Sequence, residues 1–238
     1  MTYYTSLNYT NYTLVTDWYV AGNEIADHTL VPSPSSSILS VLIDSFRSMT
    51  HVGAPPNDEI DGNIIALNAL AGIPLSAISG FRAPYLNYTA ATLTHLAAVG
   101  FTYDSSATSS IPVNESYTDA FWPYTLDYGM ANDCLTGVGL CKGQPKLPGF
   151  WEVPMYALFD NRGLNGVHLM DPWLCVLAIF VFNPTFLTRS IRDPANGAST
   201  VNDNATLAYL KGNFMAHYSG SRQPFGLYTH PIHTAVRS

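Results

Sequence analysis

Apolar positions recur along this chain in short periodic runs that are separated by Gly, Pro and Asn. Helical spacing of the apolar residues predicts helices over 64–70, 90–98 and 205–218, and a helix that gives way to a strand over 18–25, with Gly22 as the helix stop. Strand patterns cover 80–85, 100–104, 151–157 and 225–230. Pro84 favours a strand that runs into a loop, and Pro154 places its strand at a sheet edge or bulge.

Strands that alternate with helices predict an α/β fold with a mainly parallel sheet, open or closed into a barrel. Chemistry in such folds gathers at the carboxyl ends of the strands. No internal repeat or domain boundary is visible, so one domain over 1–238 is expected.

Two segments, 30–48 and 175–192, do not share the pattern of their flanks. The first contains Pro and Ser followed by an apolar run, and the second contains a short apolar run followed by Asn183 and Pro184. Removing either segment leaves a smoother sequence. We interpret both as retained introns, with lineage-specific loops as the alternative.

Composition narrows the class of protein. Hydrophobic residues make up 47% and charged residues 11% of the chain, which is typical of a globular protein. The net charge of -7 argues against nucleic acid or an anionic membrane as partner, and no apolar run is long enough to span a bilayer. Five Asn-x-Ser/Thr sequons indicate a secreted glycoprotein. They lie at Asn8, Asn11, Asn87, Asn114 and Asn204.

The cysteines fit the same compartment. Cys134 and Cys141 are close enough in sequence to form a disulfide in an oxidising environment, and Cys175 lies in the second odd segment. No signal peptide precedes these features, so we expect the natural start to lie upstream.

The strongest chemical signal is a divided histidine pair. His28 ends the run Asn23–His28, and His51 follows Met49-Thr50. If 30–48 is removed, the two imidazoles stand four residues apart, a spacing that lets both face one metal ion. The alternative is that each histidine is structural.

Further motifs follow in a fixed order: Phe81-Arg82-Ala83-Pro84-Tyr85, Tyr103-Asp104-Ser105-Ser106, Phe150-Trp151-Glu152-Val153-Pro154 and Leu227-Tyr228-Thr229-His230. With the histidine pair, this order resembles the polysaccharide deacetylase (NodB-homology) family, and most closely its fungal chitin-deacetylase-like members. The resemblance covers nearly the whole chain outside the two odd segments.

The resemblance implies a distorted, incomplete (β/α) barrel and metal-dependent removal of acetyl groups from chitin or chitooligosaccharides. It implies zinc ligation by His28 and His51, a general acid at His230, and an orienting arginine at Arg82. It also places Tyr85 beside the oxyanion, and Trp151 and Leu227 beside the acetyl methyl group. Purely structural roles stay open for three of the motif residues. Arg82 could form a surface ion pair, Asp104 could cap a turn, and Trp151 could be a core aromatic residue.

The chain departs from the family in one respect that affects catalysis. The family's Asp-Asp motif, which supplies the general base and the third metal ligand, is absent, and no Asp-Asp pair occurs anywhere in the chain. Loss of general-base catalysis costs roughly 10²–10⁴-fold in rate. We therefore expect an incomplete zinc site and a crippled enzyme whose intact parent is secreted or held in the cell wall. The alternatives are a carbohydrate-binding relative without catalysis and a non-functional product.

Overall fold

The structure is a computed structural model, and its description covers most of the chain. The described residues are 1–7, 10–30, 54–109, 122–131, 143–156, 158–159, 167–168, 175–176, 191–192, 203–220 and 222–228. The chain divides into two compact units, Met1–Ala107 with Pro123–Pro154 and Thr108–Trp122 with Met155–Ser238. The single domain expected from the sequence stays a prediction.

A six-stranded sheet forms the centre of the first unit. Its strands are β1 (Thr2–Thr5), β2 (Glu24–Asp27), β3 (Gly80–Phe81), β4 (Tyr103–Asp104), β6 (Tyr124–Leu126) and β7 (Leu147–Glu152). The spatial order is β1-β2-β3-β4-β7-β6, with β6 antiparallel to β7 and every other pair parallel. The predicted α/β class and mainly parallel sheet are confirmed. Within the described residues the sheet is open, as a distorted and incomplete barrel requires.

Three helices accompany this sheet, and all are at or near predicted positions. They are α1 (Tyr12–Val20), α2 (Asn57–Ala71) and α3 (Ala90–Val99). Asn11 caps α1 by accepting a hydrogen bond from the backbone N–H of Leu14, and Gly22 follows the helix with a φ of 84°. Thr89 and Thr92 form a capping box at the start of α3. No helix in the described residues is long and apolar enough to cross a membrane.

Side chains of the sheet and the helices share one apolar core. Ile25 and Phe81 from the strands are buried with Ile60 and Leu67 of α2 and Leu96 of α3. Burial of side chains of this size stabilises a fold by roughly 1.5–3 kcal/mol each. The apolar side chains that predicted the helices are therefore the ones that pack them against the sheet.

The second unit consists of short strands and one long helix. The elements are β5 (Thr108–Ser109), β8 (Met155–Tyr156), β9 (Leu158–Phe159), β10 (Val167–His168), β11 (Cys175–Val176), β12 (Ile191–Arg192) and α4 (Asp203–Ser219). β5 pairs with β8 in parallel, whereas β9 with β10 and β11 with β12 pair antiparallel.

The two odd segments of the sequence lie almost wholly outside the described residues. The ends of 175–192 pair with each other as β11 and β12. Of the segment 30–48, only Leu30 is described. The origin of both segments stays a prediction.

Two predictions about strands need correction. Residues 225–228 form no strand. Pro224 and Gly226 weaken a strand there, and the Phe225 ring packs edge-on against His217 and Phe214 instead. The strand predicted over 151–157 starts earlier, as β7, and is divided from β8 near Pro154, which has no backbone N–H to donate. Strands β1 and β6 were not predicted.

Candidate functional site

The carboxyl ends of four neighbouring parallel strands bring polar residues to one edge of the sheet. Asp27, Phe81, Asp104 and Glu152 are register partners across β2, β3, β4 and β7. The residues that follow them include His28 and Arg82. The structure therefore brings together two of the residues that the sequence predicted for the site.

His28 is held by backbone groups from two other strands. Its backbone N–H donates to the Thr5 carbonyl at 3.0 Å, and its own carbonyl accepts from the Ser6 hydroxyl at 2.9 Å. Its ring Nδ1 lies 2.7 Å from the Arg82 carbonyl oxygen. Because a carbonyl can only accept, Nδ1 carries the proton, and in the neutral ring the lone pair resides on Nε2. Histidines that bind metal are commonly oriented by a hydrogen bond of this kind.

Arg82 is buried, with 7% of its surface exposed, which rules out the alternative of a surface ion pair. Its Nε donates to the Ser105 carbonyl at 3.0 Å, and its Nη2 donates to the Ser105 hydroxyl at 2.8 Å. The same hydroxyl donates to the Val153 carbonyl at 2.8 Å. The guanidinium carbon lies 3.9 Å from the centre of the Tyr4 ring. These contacts fix the direction in which the cation points.

Asp104 and Glu152 form a buried carboxyl pair beside this cation, and neither is exposed. Asp104 accepts from the backbone N–H of Ser106 at 3.0 Å and from the Ser106 hydroxyl at 2.7 Å, which confirms the predicted turn cap. Glu152 accepts from the backbone N–H of Ala107 at 3.2 Å. Its second oxygen, Oε2, is buried and has no hydrogen-bond partner among the described residues, an environment that disfavours the charged carboxylate.

The pKa values of this pair follow from burial and mutual repulsion. Burial raises the pKa of Asp104 to about 6, against hydrogen bonds from Ser106 that lower it. Burial, followed by the negative charge of Asp104, raises the pKa of Glu152 well above its ordinary value. Burial therefore favours the protonated form of both carboxyl groups, and their mutual repulsion disfavours the state in which both are charged.

A third buried carboxyl, Asp27, organises the turn that carries His28. Its Oδ1 accepts from the backbone N–H of Thr29 at 2.7 Å and from Asn63 Nδ2 at 2.6 Å. Asn63 also donates to the Thr5 carbonyl at 2.7 Å. Burial raises the pKa of Asp27 to about 7, so its charge is costly in this position.

The described residues do not complete a metal site. Nowhere in them do three His, Cys, Asp or Glu side chains come together as a set that could hold a metal ion. His51, the predicted second ligand, lies outside the described residues, as does the predicted acid His230. His28 has a ring hydrogen bond of the kind that is common among metal-binding histidines, whereas no set of three ligands occurs among the described residues.

Three further predicted site residues, Tyr85, Trp151 and Leu227, lie among the described residues. Tyr85 lies in a short 3₁₀ helix, Pro84–Leu86, which begins two residues after Arg82 in the sequence. Trp151 is 45% exposed, so the prediction of a core aromatic is wrong, while a role as an apolar wall stays a prediction. Leu227 is also 45% exposed.

The predicted modification sites are described only in part. Asn11 is exposed, Asn87 follows the 3₁₀ helix, and Asn204 lies in α4. Cys134, Cys141, Asn8 and Asn114 lie outside the described residues. The disulfide and the sequons therefore stay predictions.

Sequence reasoning missed Tyr4, Asn63 and Glu152 as parts of this site. A signal existed for Glu152, because Tyr103-Asp104 and Trp151-Glu152 are both an aromatic residue followed by a carboxylate at a strand end. Asn63 lies inside a helix, and Tyr4 lies in a strand that was not predicted. Neither residue shows a local pattern that would mark it as functional.

Comparison with known proteins gives related sequences. The chain is 27% identical to Chitin deacetylase 8 of Bombyx mori, over 96% of this chain and 50% of that protein. It is 25% identical to Chitin deacetylase 1 of Bombyx mori, over 96% of this chain and 36% of that protein. The chain thus spans half or less of the length of these relatives. No protein-family profile matches it.

One solved structure is also similar, a proposed polysaccharide deacetylase from Mycobacterium smegmatis. The likeness covers 92% of this chain and 53% of that chain, with 20% identity and a TM-score of 0.43. A TM-score of this size does not establish a shared fold.

Proposed function

We propose that the chain is a NodB-type polysaccharide deacetylase and that its site serves the hydrolytic removal of acetyl groups from a chitin-like polysaccharide, as its similarity to two chitin deacetylases supports. The substrate class is an N-acetylglucosamine polymer or oligomer. The reaction breaks the C–N amide bond, adds water across it, and releases acetate and a free amine. The proposed reaction is zinc-dependent, and it is slow in this chain because no Asp-Asp pair occurs in the sequence.

The observation that carries the proposal is the hydrogen bond between His28 and Arg82. The Arg82 carbonyl accepts from Nδ1 of His28 at 2.7 Å, so the predicted metal ligand and the predicted orienting cation are joined at one sheet edge. Parallel α/β enzymes gather their chemistry at this edge. A chance motif match would not bring the two residues together across β2 and β3.

In the proposed reaction, the described residues bind the metal ion and orient the acetyl group. His28 would hold zinc through Nε2, and Arg82 supplies a buried positive charge that favours the negative charge developing on the acetyl oxygen or its neighbours. A zinc ion held there would supply Lewis-acid polarisation of the acetyl carbonyl and of a water molecule. Trp151, half-exposed at the end of β7, offers an aromatic face to a sugar ring.

Acetate release is the direct test. The full chain, supplied with zinc, is incubated with a chitooligosaccharide, and acetate is measured against His28→Ala and Arg82→Lys variants. We expect slow release by the unaltered chain and a further loss of about tenfold or more in each variant. Equal release by all three proteins would show that this site does not perform the reaction. Sugar binding without any release would support the non-catalytic carbohydrate-binding alternative.

Zinc affinity gives a prediction that does not depend on turnover. His28→Ala is expected to weaken zinc binding by about tenfold or more, because it removes an oriented imidazole. His95→Ala is the matched control, since His95 bonds to Asp61 at 2.8 Å between α3 and α2 and has no predicted metal role. Competition with a zinc-sensitive dye measures both. If the two variants lose zinc affinity equally, His28 is not a specific ligand.

We also propose that the protein is secreted or cell-wall bound and carries N-linked glycans. Asn11 supports this, because its side chain is exposed and caps α1 through Oδ1, which leaves Nδ2 as the atom a glycan would use. Peptide mapping after expression through a eukaryotic secretory pathway tests it. An unmodified Asn11 peptide from secreted protein would contradict the proposal at this sequon.

A further inference from the structure

A row of residues on one face of the sheet leads towards Arg82. Tyr4 is the register partner of Ala26, and Gly80 is the register partner of Tyr103. Ala26 and Gly80 each immediately precede the paired residues Asp27 and Phe81, so the four residues form one row across β1 to β4. The two central members are small, and this leaves room above the sheet for the two tyrosine rings. A Cβ added to Gly80 would lie 2.2 Å from the Tyr103 ring.

Tyr103 is anchored by partly buried hydrogen bonds at Glu24. Tyr103 donates to Glu24 Oε1 at 2.9 Å, and Thr2 donates to Glu24 Oε2 at 2.6 Å. Tyr4 lies in the same row as Tyr103, and burial, followed by the neighbouring Tyr4 and Glu24, raises the pKa of Tyr103. We call Glu24, Tyr103 and Tyr4 the tyrosine relay. It connects the amino end of β2 with the ring on which Arg82 rests.

The contact between Tyr4 and Arg82 is a cation–π interaction. The guanidinium carbon is 3.9 Å from the ring centre, well inside the roughly 6 Å limit for such contacts, and Arg82 is buried whereas Tyr4 is partly buried. The Nε and Nη2 of Arg82 donate to the carbonyl and the hydroxyl of Ser105. Stacking from one side and hydrogen bonding in the plane together restrict both the tilt and the rotation of the guanidinium.

We propose that Tyr4 is a positioning residue for Arg82, and that the tyrosine relay holds its ring in place beneath the guanidinium. The inference deepens the proposed function, on which it rests for the role of Arg82. A catalytic cation must keep its direction to within a small tolerance, and a long arginine side chain has many rotamers to restrict. Ser105 accepts hydrogen bonds from the guanidinium, whereas the Tyr4 ring restricts the orientation of the guanidinium plane.

The test follows the Nε–H proton of Arg82 in the full chain by ¹⁵N NMR, with the signal assigned by its loss in Arg82→Lys. Tyr4→Leu removes the ring, Tyr4→Phe keeps the ring without the hydroxyl, and Tyr103→Phe cuts the relay. We expect exchange of the Arg82 Nε–H with solvent to accelerate by about tenfold or more in Tyr4→Leu. Tyr4→Phe and Tyr103→Phe should accelerate it by a smaller factor, since the ring remains.

Tyr3→Leu is the matched control for general destabilisation. Tyr3 immediately precedes Tyr4 in β1, and its ring stacks on the Trp18 ring with the two centres 4.0 Å apart and an interplanar angle of 9°. Its loss should lower stability and leave Arg82 exchange within about twofold of the unaltered protein when both are measured under native conditions. Acceleration by Tyr3→Leu as large as that by Tyr4→Leu would overturn the proposal.

Two further outcomes are decisive. If Tyr4→Leu does not fold, Tyr4→Phe and Tyr103→Phe carry the test, and unchanged Arg82 exchange in both would overturn the role of the relay. Because the readout is a proton of Arg82, it holds whether or not acetate is released, so failure of the proposed function is seen separately. Where turnover is measurable, a lower kcat with an unchanged KM in Tyr4→Phe supports positioning of Arg82.

Discussion

Replacing Glu152 with Gln is expected to raise the free energy of unfolding at pH 8 and to flatten its dependence on pH, since each unit by which folding raises a pKa corresponds to about 1.4 kcal/mol at a pH above both values. Glu152 is fully buried next to Asp104, and its pKa is raised by burial and by the charge of that neighbour. A glutamine keeps the shape of the side chain and carries no charge. It has no proton to lose, so the alkaline cost disappears.

The sign of the pH effect follows from the direction of both shifts. A carboxyl whose pKa is higher in the folded chain favours the fold when it is protonated. Its contribution to the free energy of unfolding is complete at a pH below its pKa in the unfolded chain. That contribution is lost as the pH rises through its pKa in the folded chain. For Asp104, whose pKa is raised from 3.8 to about 6, the loss falls between about pH 4 and pH 6, and for Glu152 it extends to higher pH.

Urea unfolding at pH 5, 6.5 and 8 measures this effect in the unaltered chain and in Glu152→Gln. Asp17→Asn serves as the control, because Asp17 is exposed on α1 and carries no buried charge. The control should shift stability by less than about 0.5 kcal/mol at every pH. A pH dependence in Glu152→Gln as steep as in the unaltered chain would show that Glu152 is not a source of it, since Asp104 and Asp27 keep their own raised pKa values in this variant.

The architecture was predictable where the signal is local. Apolar residues at helical spacing identified α2, α3 and α4, and Gly22 marked the end of α1 before β2. β1 was missed because Thr-Tyr-Tyr-Thr has no clear alternation of apolar and polar residues, and it becomes a strand by pairing with β2. The strand predicted over 225–230 failed because Phe225 packs against aromatic rings of α4.

The site residues likewise fall into those with a local sequence signal and those that come together only in the folded chain. His28 and Arg82 were predictable because each lies in a short motif whose chemistry is visible in the sequence. The roles of Tyr4 and Glu152 arise only when distant strands align. Tyr103 and Glu24, for example, hydrogen-bond across a sequence separation of 79 residues. Single-sequence patterns carry no information about which strands become neighbours, so residues that act through register stay hidden.

Gly80→Ala is expected to lower the free energy of unfolding by about 1–3 kcal/mol, the usual cost of overpacking. The added Cβ would lie 2.2 Å from the Tyr103 ring, close to its hydroxyl end. That end is tied to Glu24 by a hydrogen bond, so the ring cannot swing aside without breaking it. Gly212→Ala is the control, since Gly212 lies in α4 with open space around it, and there a gain of about 0.5–1 kcal/mol is expected.

A double-mutant cycle with Tyr103→Leu shows whether the ring is the cause. If it is, the loss from Gly80→Ala shrinks to under about 1 kcal/mol in the Tyr103→Leu background, because the obstructing ring has gone. Losses that simply add would mean that Gly80 is required for another reason. Non-additivity would instead show that Gly80 in β3 is required because the Tyr103 ring from β4 packs over it. The small residue beneath the ring would then be as much a part of the Arg82 site as the residues that touch it.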